Sequence, residues 1–442
     1  MLIQFLVCIW SVIGVSLNAD DSKEVLAATK QVAARLMSYY TPQTSTLGSI
    51  HPKDDPSAKG YQWFEGGIMW GAMMEYQRYT GDDQYKTTVT NALTLASYGK
   101  IASFLGSDRN LPIILGRWND DMLWWGLGAM MGAELYPSNT IMPGGVSYTQ
   151  LAMNTYDDVW NDWEEKNCQF NPGGIYWSKD RQDAKRKDVK SAITHGQQVM
   201  MGARLSIMNR NQTYLDHADK IVQWLKKGLI DQNNFTIYDN IVSGSPDQCA
   251  IEYSVHSYNA GMIASSLAFL SKATGKDEYM ALSENIVGAG LKVFTSKSIL
   301  IDQCELTPKD TCELNKVTPK GIFIRGISDV YTMTKNETLK SQIKTALVTS
   351  MNALTPFCDD QWNCNSNAWV NGVSTTKNVH LQLNSLELFN ALLKVHNTAS
   401  TTVFAPPIST PPPDSVTGPV GGATNVQSVL SMISVAAVFL LL

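Results

Sequence analysis

The fold and the candidate site of this chain are best indicated by one stretch, Trp118-Asn119-Asp120-Asp121-Met122-Leu123-Trp124-Trp125-Gly126. Asp120 and Asp121 lie where a loop becomes a helix, because the apolar residues that follow them recur at helical spacing. Aspartate before such a run is typical of a helix N-cap. One aspartate suffices for a cap, however, and three neighbouring indoles would be costly to expose unless a flat, partly apolar ligand such as a sugar ring covers them.

Glycoside hydrolysis is a reaction that needs two carboxyl groups. In retaining enzymes they stand about 5–5.5 Å apart, and one is the nucleophile while the other is the acid/base. Adjacent residues at a helix start can reach that separation, whereas the wider spacing of an inverting pair fits less easily. Asp120 and Asp121 therefore predict a retaining glycosidase.

Composition limits the class of protein. The chain has 442 residues, of which 44% are hydrophobic, so it can bury a large core. A net charge of −5 without basic runs argues against a nucleic-acid partner. The histidines do not cluster as metal ligands do, so we expect no metal. We also expect no cofactor, and we expect the protein to be a monomer.

Both ends of the chain differ in composition from the body. Residues 1–18 are predicted to be a signal peptide, because residues 2–15 are apolar and uncharged but too few to span a bilayer. Residues 398–424 are rich in Pro, Thr and Ser and predict an extended stalk. Residues 425–442 predict a GPI-attachment signal, with the anchor at Gly421 or earlier, for example at Gly418. The mature protein would then lie outside the cell, at the plasma membrane or the cell wall.

The cysteines and the sequons fit a secreted chain. Of seven cysteines, Cys8 falls in the predicted signal peptide and six remain, which implies disulfides. Close spacing favours Cys304–Cys312 and Cys358–Cys364, and leaves Cys168–Cys249 by subtraction. Sequons for N-glycosylation begin at Asn211, Asn234 and Asn336.

Residues 19–397 predict one helical domain. We place twelve helices, which start near residues 22, 62, 82, 119, 147, 189, 212, 256, 277, 316, 336 and 376. The stretch that begins Thr80-Gly81-Asp82 resembles that of Thr274-Gly275-Lys276-Asp277, where Gly ends one helix and Asp caps the next. Such hairpins recur at about 60–65 residues. Six hairpins predict an all-α (α/α)6 barrel; an open solenoid shares the periodicity, but a disulfide-bonded chain with one acid pair favours closure.

In such a barrel the second, fourth and later even-numbered helices form the inner ring, and their N-terminal residues meet at one mouth. The residues predicted there are aromatic, polar or glycine, as a sugar-binding cleft requires. His195 is either a hydrogen-bonding residue of the mouth or a structural one. The candidates for substrate binding are Trp63, Glu65, Trp118, Asn119, Trp124, His195, Tyr258 and Asn259.

The sequence resembles glycoside hydrolase family 76, in particular its fungal cell-wall branch, over about residues 21–397. The resemblance implies an (α/α)6 barrel with Asp120 as nucleophile and Asp121 as general acid/base, acting on α-1,6-linked mannose. In that branch it further implies action on the mannose core of GPI anchors. The motifs that carry it are Trp118-Asn119-Asp120-Asp121, Trp124-Trp125-Gly126, Tyr61-Gln62-Trp63-Phe64-Glu65-Gly66-Gly67, Cys168 with Asn171-Pro172-Gly173-Gly174-Ile175-Tyr176-Trp177, Lys190-Ser191-Ala192-Ile193-Thr194-His195-Gly196 and Tyr258-Asn259-Ala260-Gly261.

Two other functions share the same residues. A glycosyl-enzyme can be resolved by a sugar hydroxyl instead of water, which would make the protein a transglycosylase that moves GPI-anchored mannoproteins onto wall glucan. A non-catalytic mannan-binding wall protein would need the aromatic cleft alone. Replacing either Asp120 or Asp121 by Asn separates an enzyme from a lectin, because a lectin does not need both carboxylates.

Overall fold

The structure of the chain is a computed structural model. Its described residues up to position 406 belong to one unit, and residues 407–442 form a second unit, which lies outside the described part. The structure describes residues 15–41, 47–50, 61–97, 103–104, 117–138, 140–165, 168, 170–243, 249–302, 305, 319–364, 366, 369–370 and 378–399.

Twelve α-helices make up most of the described chain. In chain order they are α1 (Ser22–Met37), α2 (Trp63–Thr80), α3 (Lys86–Ala96), α4 (Asn119–Leu135), α5 (Tyr148–Trp160), α6 (Ala192–Asn209), α7 (Gln212–Gly228), α8 (Ser257–Thr274), α9 (Asp277–Val293), α10 (Pro319–Met333), α11 (Glu337–Leu354) and α12 (Val379–Ala399).

The even-numbered helices form a closed inner ring. Helix α2 packs against α4, α4 against α6, α6 against α8, α8 against α10, α10 against α12, and α12 returns to α2. The last contact closes the barrel, which an open solenoid would lack. The odd-numbered helices lie outside this ring: α5, α7 and α9 pack on α4, α6 and α8, while α1 and α11 pack on α12. The predicted (α/α)6 barrel is confirmed.

The inner helices are buried around most of their circumference, which explains their lack of an amphipathic pattern. In α4, for example, the residues from Met122 to Ala133 are all buried. Close packing of neighbouring inner helices depends on glycine. A Cβ at Gly67 of α2 would lie 2.7 Å from the backbone nitrogen of Trp125, and one at Gly326 of α10 would lie 2.2 Å from the carbonyl oxygen of Gly261. Larger residues at these two positions would push the helices apart.

The described part of the chain also contains five short strands. Strands β1 (Val189–Ser191), β2 (Tyr238–Val242) and β3 (Ala250–Val255) form an antiparallel sheet in the order β1-β2-β3. Strands β4 (Thr295–Ser296) and β5 (Ile299–Leu300) form a small hairpin. Because β1 runs directly into α6 and β3 ends just before α8, the three-stranded sheet lies beside the N-terminal ends of two inner helices.

The helix starts predicted from the sequence are confirmed to within four residues. Gly81 and Gly275 end α2 and α8 in the left-handed conformation, with φ of 70° and 72°, as their sequence context predicts. The prediction that the following aspartates cap the next helix is wrong. Asp82 accepts hydrogen bonds from the Tyr76 hydroxyl and the Gln84 backbone, and α3 begins only at Lys86.

Two predicted disulfides, Cys168–Cys249 and Cys358–Cys364, are present. The third pair, Cys304 and Cys312, lies outside the described residues, as do the predicted signal peptide up to residue 14, the stalk from residue 400 onward, Gly418, Gly421 and the tail. Among the helices that the structure describes, none has the length and apolar character needed to cross a membrane.

Candidate active site

A cleft of about 430 Å³ opens where the inner helices begin. Its volume lies in the range typical of sites for small ligands. Inner helices α2, α4, α6, α8 and α10 contribute residues to it, and the segment before β1 contributes two more. The lining residues are Gln62, Phe64, Ile68, Trp118, Asp120, Asp121, Trp124, Trp177, Arg186, Ile193, Tyr258 and Ile322.

The start of α4 is fixed by the segment that precedes β1. The backbone N–H of Asn119 donates to the carbonyl of Trp177 at 2.8 Å. The Asn119 side-chain amide donates to the Tyr176 carbonyl and to Asp162, and the residue is fully buried. Asn119 is therefore a positioning residue that does not line the cleft, and it holds the following carboxylates in place.

Neither aspartate of the pair is the N-cap of α4. The cap position is taken by Trp118, which makes no side-chain capping bond, and Asp120 and Asp121 follow in the first turn. Both carboxylates line the cleft and are partly accessible. Their place at the positive end of the helix dipole favours negative charge there. Capping alone therefore does not account for the pair.

Asp120 is surrounded by hydrogen-bond donors. Burial raises the pKa of Asp120 to about 6, while the Trp177 indole and the Asp121 backbone N–H oppose the rise by donating to its carboxylate. The Asp121 N–H lies 3.0 Å from Oδ1 of Asp120. The side-chain amide of Gln197 also donates to the Asp120 carbonyl, at 3.2 Å. The donors to the carboxylate therefore offset part of the cost of burying its charge.

Asp121 has the opposite surroundings. Burial raises its pKa well above the usual value, and the negative charges of Asp120 and Glu65 raise it further. Negative neighbours favour the protonated form of a carboxyl group, whereas hydrogen-bond donors favour the ionised form. The surroundings of the two adjacent aspartates therefore differ: donors act on Asp120, and negative charges act on Asp121.

A third carboxylate, Asp239 of β2, lies beside the pair. Its negative charge contributes to the raised pKa of Asp120. Oδ1 of Asp239 accepts hydrogen bonds from the Tyr258 hydroxyl at 3.1 Å and from the Asn259 amide at 2.8 Å. Tyr258 lines the cleft, whereas Asn259 is fully buried behind it. Of the two predicted contacts on α8, only Tyr258 reaches the place where a ligand would lie.

Aromatic side chains form one wall of the cleft. Trp118 and Trp177 pack with ring centroids 6.2 Å apart, and both remain partly exposed. Trp124 also lines the cleft but is only 4% exposed. Trp63, in contrast, stacks on the buried Trp125 at 5.0 Å and is not a lining residue. Trp118 and Trp177 therefore offer the faces most open to a sugar ring.

Glu65 lies behind the cleft. It is fully buried, accepts the Gln62 backbone N–H at 2.7 Å, and contacts Nδ1 of His380 at 2.6 Å. Glu65 therefore acts on the site through its charge, which raises the pKa of Asp121.

His195 makes structural contacts. Nδ1 lies 2.7 Å from the Ser191 carbonyl, and Nε2 accepts the Ile175 backbone N–H at 2.8 Å, so the proton is on Nδ1. The ring stacks on Trp224 at 4.1 Å. Burial lowers the pKa of His195 to about 3, so the ring stays neutral. Of the two alternatives that the sequence leaves open, the structure favours the structural one.

The three sequons lie on the surface of the protein. Asn211, Asn234 and Asn336 are all exposed, and Asn211 and Asn336 cap α7 and α11. Asn234 and Asn336 line one outer groove of about 610 Å³. Within the described residues, no group of three or more His, Cys, Asp or Glu side chains could hold a metal ion.

Sequence reasoning missed two residues that line the cleft and one that lies behind it. Trp177 and Arg186 come from an irregular segment, and Asp239 comes from a short strand, so no helical periodicity identifies them. The motif Ile175-Tyr176-Trp177 carried a signal, because it belongs to the family resemblance. Arg325 of α10 does not line the cleft; it pairs with the buried Glu387.

A closed ring of six helical hairpins, with two adjacent carboxyl groups in an aromatic cleft, is typical of the (α/α)6 glycoside hydrolases. The comparison with known families agrees with this class. The chain belongs to glycosyl hydrolase family 76, whose model matches residues 24–403.

Curated relatives share about a quarter of their residues with the chain. A protein of Candida glabrata named mannan endo-1,6-alpha-mannosidase DCW1 is 28% identical over 363 residues, which cover 81% of this chain and 76% of the relative. The protein of the same name from Saccharomyces cerevisiae is 27% identical over 367 residues, with the same coverage of both chains.

Solved structures share the fold. Dfg5 from Chaetomium thermophilum, in complex with glucosamine, superposes with a TM-score of 0.71 at 22% identity and covers 86% of this chain and 93% of its own. An α-1,6-mannanase of Salegentibacter, solved with α-1,6-mannotriose as an inactive variant with two consecutive aspartates replaced by asparagine, has a TM-score of 0.66 at 15% identity. It covers 84% of this chain and 99% of its own.

Proposed function

We propose that the protein is a retaining, endo-acting glycosidase that cleaves α-1,6-mannosidic linkages of mannan or of a GPI-core glycan. The observation that carries this proposal is the contrast between Asp120 and Asp121. The Trp177 indole and the backbone N–H groups of Asp120 and Asp121 act on the carboxylate of Asp120, whereas Asp121 has two negative neighbours. A retaining glycosidase needs one ionised and one protonated carboxyl group at the same bond.

The reaction follows from these protonation states. A carboxylate oxygen of Asp120 attacks the anomeric carbon, while Asp121 donates its proton to the departing glycosidic oxygen. The anomeric carbon is then bonded to Asp120, and Asp121 is ionised. Asp121 next takes a proton from water, the water oxygen attacks the anomeric carbon, and Asp120 leaves as a carboxylate. Both residues return to their starting states.

The relatives support the choice of sugar. Their names describe enzymes that cleave within mannan at 1,6-α linkages. The Salegentibacter mannanase binds α-1,6-mannotriose when two consecutive aspartates are replaced by asparagine. Asp120 and Asp121 are the consecutive aspartates of this chain that line the cleft. We carry the linkage and the sugar to this chain on these grounds.

The experiment is product analysis by mass spectrometry with α-1,6-mannan oligosaccharides and a GPI-core glycan as substrates. Each is incubated with the native protein, Asp120→Asn and Asp121→Asn, with and without an added oligosaccharide acceptor. Shorter mannosides from the native protein alone support hydrolysis. Longer products that form only with acceptor make the protein a transglycosylase. Unchanged substrate that still binds the native protein and both variants equally would indicate a mannan-binding protein and would contradict catalysis.

We also propose that the mature protein is monomeric and lies outside the cell, at the wall or on the plasma membrane. The support is the composition of residues 398–442, with a Pro- and Thr-rich stalk and an apolar end, together with two disulfides in the barrel. A GPI lipid at Gly421 would anchor it. Phosphatidylinositol-specific phospholipase C should then release the full-length protein from membranes, and recovery of peptides from residues 429–442 in the mature protein would contradict the anchor.

A further inference from the structure

Arg186 lines the same cleft as the carboxylate pair. Among the described residues that line the cleft, it carries the only positive charge. Its side chain is 50% exposed, and its ion pair with Asp183 is long, at 3.4 Å. Exposed pairs of this kind contribute little stability. The guanidinium is therefore largely available to a ligand.

The position of Arg186 favours contact with a sugar next to the reacting one, rather than with the reacting sugar itself. Its Cζ lies 5.9 Å from the centroid of the Trp118 ring. The Trp118 ring is 6.2 Å from that of Trp177, which donates to the carboxylate of Asp120. Two aromatic rings thus connect Arg186 to the nucleophile. A sugar stacked on these rings would bring a substituent, not its anomeric carbon, to the guanidinium.

The segment that carries Arg186 is basic. Residues 178–188 contain five basic and three acidic side chains, although the whole chain has a net charge of −5. Lys179 and Arg181 of this segment are engaged, the first with Asp158 and Asp162 and the second over the Tyr176 ring. The cleft thus contains the acidic pair, and a basic segment contributes Arg186 to it. This charge distribution favours a ligand whose reacting part is neutral and whose remaining part is negative.

A neutral mannoside makes no use of this charge, since stacking and hydrogen bonds to hydroxyl groups suffice for it. A guanidinium, in contrast, matches the geometry of phosphate with two parallel hydrogen bonds. We infer that Arg186 binds a phosphate substituent on a mannose next to the reacting one, so that the preferred substrates are phosphate-bearing α-mannosides. This inference rests on the proposed function, of which it specifies the substrate class.

The test compares neutral α-1,6-mannotrioside with the same compound bearing one phosphate on a non-reacting mannose. The quantity measured is the ratio of their kcat/KM values, at low and at high salt. We expect the native protein to favour the phosphorylated compound by about tenfold or more at low salt, which corresponds to about 1.4 kcal/mol. The preference should decrease as salt rises.

Variants assign the preference to Arg186. Arg186→Gln should bring the ratio near one, and Arg186→Lys should keep part of it. Lys185→Gln removes the same charge from the same segment at an exposed residue outside the cleft, and it should retain the preference. A native protein that does not discriminate would contradict the inference, as would a preference that survives Arg186→Gln. An equal loss in Lys185→Gln would mean that the charge of the whole segment is responsible, which also contradicts it.

The same comparison can be made without turnover. Calorimetry on Asp120→Asn gives the Kd values of the two compounds, and the phosphorylated one should bind about tenfold more tightly through Arg186. If no mannoside is cleaved, the proposed function fails, yet this binding ratio still supports or contradicts the role of Arg186. Equal Kd values would contradict it whatever the activity.

Discussion

Trp177 donates its indole N–H to the carboxylate of Asp120, and this bond acts against the burial that raises the pKa of Asp120. Trp177 is in turn fixed by its carbonyl, which accepts the backbone N–H of Asn119 at 2.8 Å. The segment before β1 and the first turn of α4 therefore form one unit. Through it, a residue far along the chain favours the ionised form of Asp120.

Replacing Trp177 by Phe removes the donor and keeps most of the aromatic surface. Because a hydrogen bond to the charged form is lost, the pKa of Asp120 should rise, by about one unit for a loss of about 1.5 kcal/mol. The acid limb of the pH profile of kcat/KM should move to higher pH by that amount. Trp118→Phe is the matched control, since no bond from Trp118 to Asp120 is present, and its acid limb should not move.

Replacing Glu65 by Gln tests the alkaline limb of the pH profile of kcat/KM. The negative charge of Glu65 disfavours ionisation of Asp121, so its removal should lower the pKa of Asp121. The alkaline limb of the kcat/KM profile should then move to lower pH, because Asp121 loses its proton earlier. His380→Asn disturbs the contact that Glu65 makes but leaves the charge in place. An equal shift in both variants would attribute the effect to packing and reject the electrostatic role.

Replacing Trp118 should weaken substrate binding, whereas replacing Trp125 should destabilise the fold. Trp118 is partly exposed in the cleft, so Trp118→Ala should raise KM several-fold, for a stacking contribution of about 0.5–1.5 kcal/mol. Trp125 is fully buried against Trp63, so Trp125→Ala should lower the free energy of unfolding by about 3–5 kcal/mol. Thermal melts and mannoside kinetics on the two variants separate the effects. If Trp118→Ala mainly lowered the free energy of unfolding and Trp125→Ala mainly raised KM, the roles assigned to the two side chains would be contradicted.

The deep end of the barrel is predicted to be sensitive to charge. Arg325 pairs with Glu387, and both side chains are almost completely buried. Arg325→Met alone leaves an uncompensated buried charge and should cost about 3–5 kcal/mol of unfolding free energy. The double variant Arg325→Met, Glu387→Met should recover much of that loss. Denaturant titrations of the native protein and both variants measure it, and a double variant no more stable than the single one would contradict the role of the pair.

The helical skeleton follows from local patterns. Gly81 and Gly275 mark helix ends, and each helix start lies near a change of pattern that the sequence displays. Local patterns do not determine side-chain direction at the mouth. His195 and Ile193 both lie in the first turn of α6, yet Ile193 lines the cleft and His195 turns to Trp224.

Contacts between distant segments are harder to infer. Asp239 reaches the site only because β2 pairs with β1, which leads into α6. Arg186 and Trp177 reach it because Asn119 binds the carbonyls of Tyr176 and Trp177. These contacts depend on tertiary packing, so composition and periodicity do not reveal them.

The central claim is that Asp120 is the nucleophile of a retaining reaction, and mass analysis of a trapped intermediate tests it most directly. Asp121→Asn is incubated with an α-1,6-mannobioside that carries an activated leaving group, which needs no proton from Asp121 to depart. We predict that the protein gains the mass of one mannobiosyl group, that peptide mapping places it on Asp120, and that Asp120→Asn gains none. An adduct on another residue would contradict the account, as would the absence of any adduct together with release of an inverted product by the native protein.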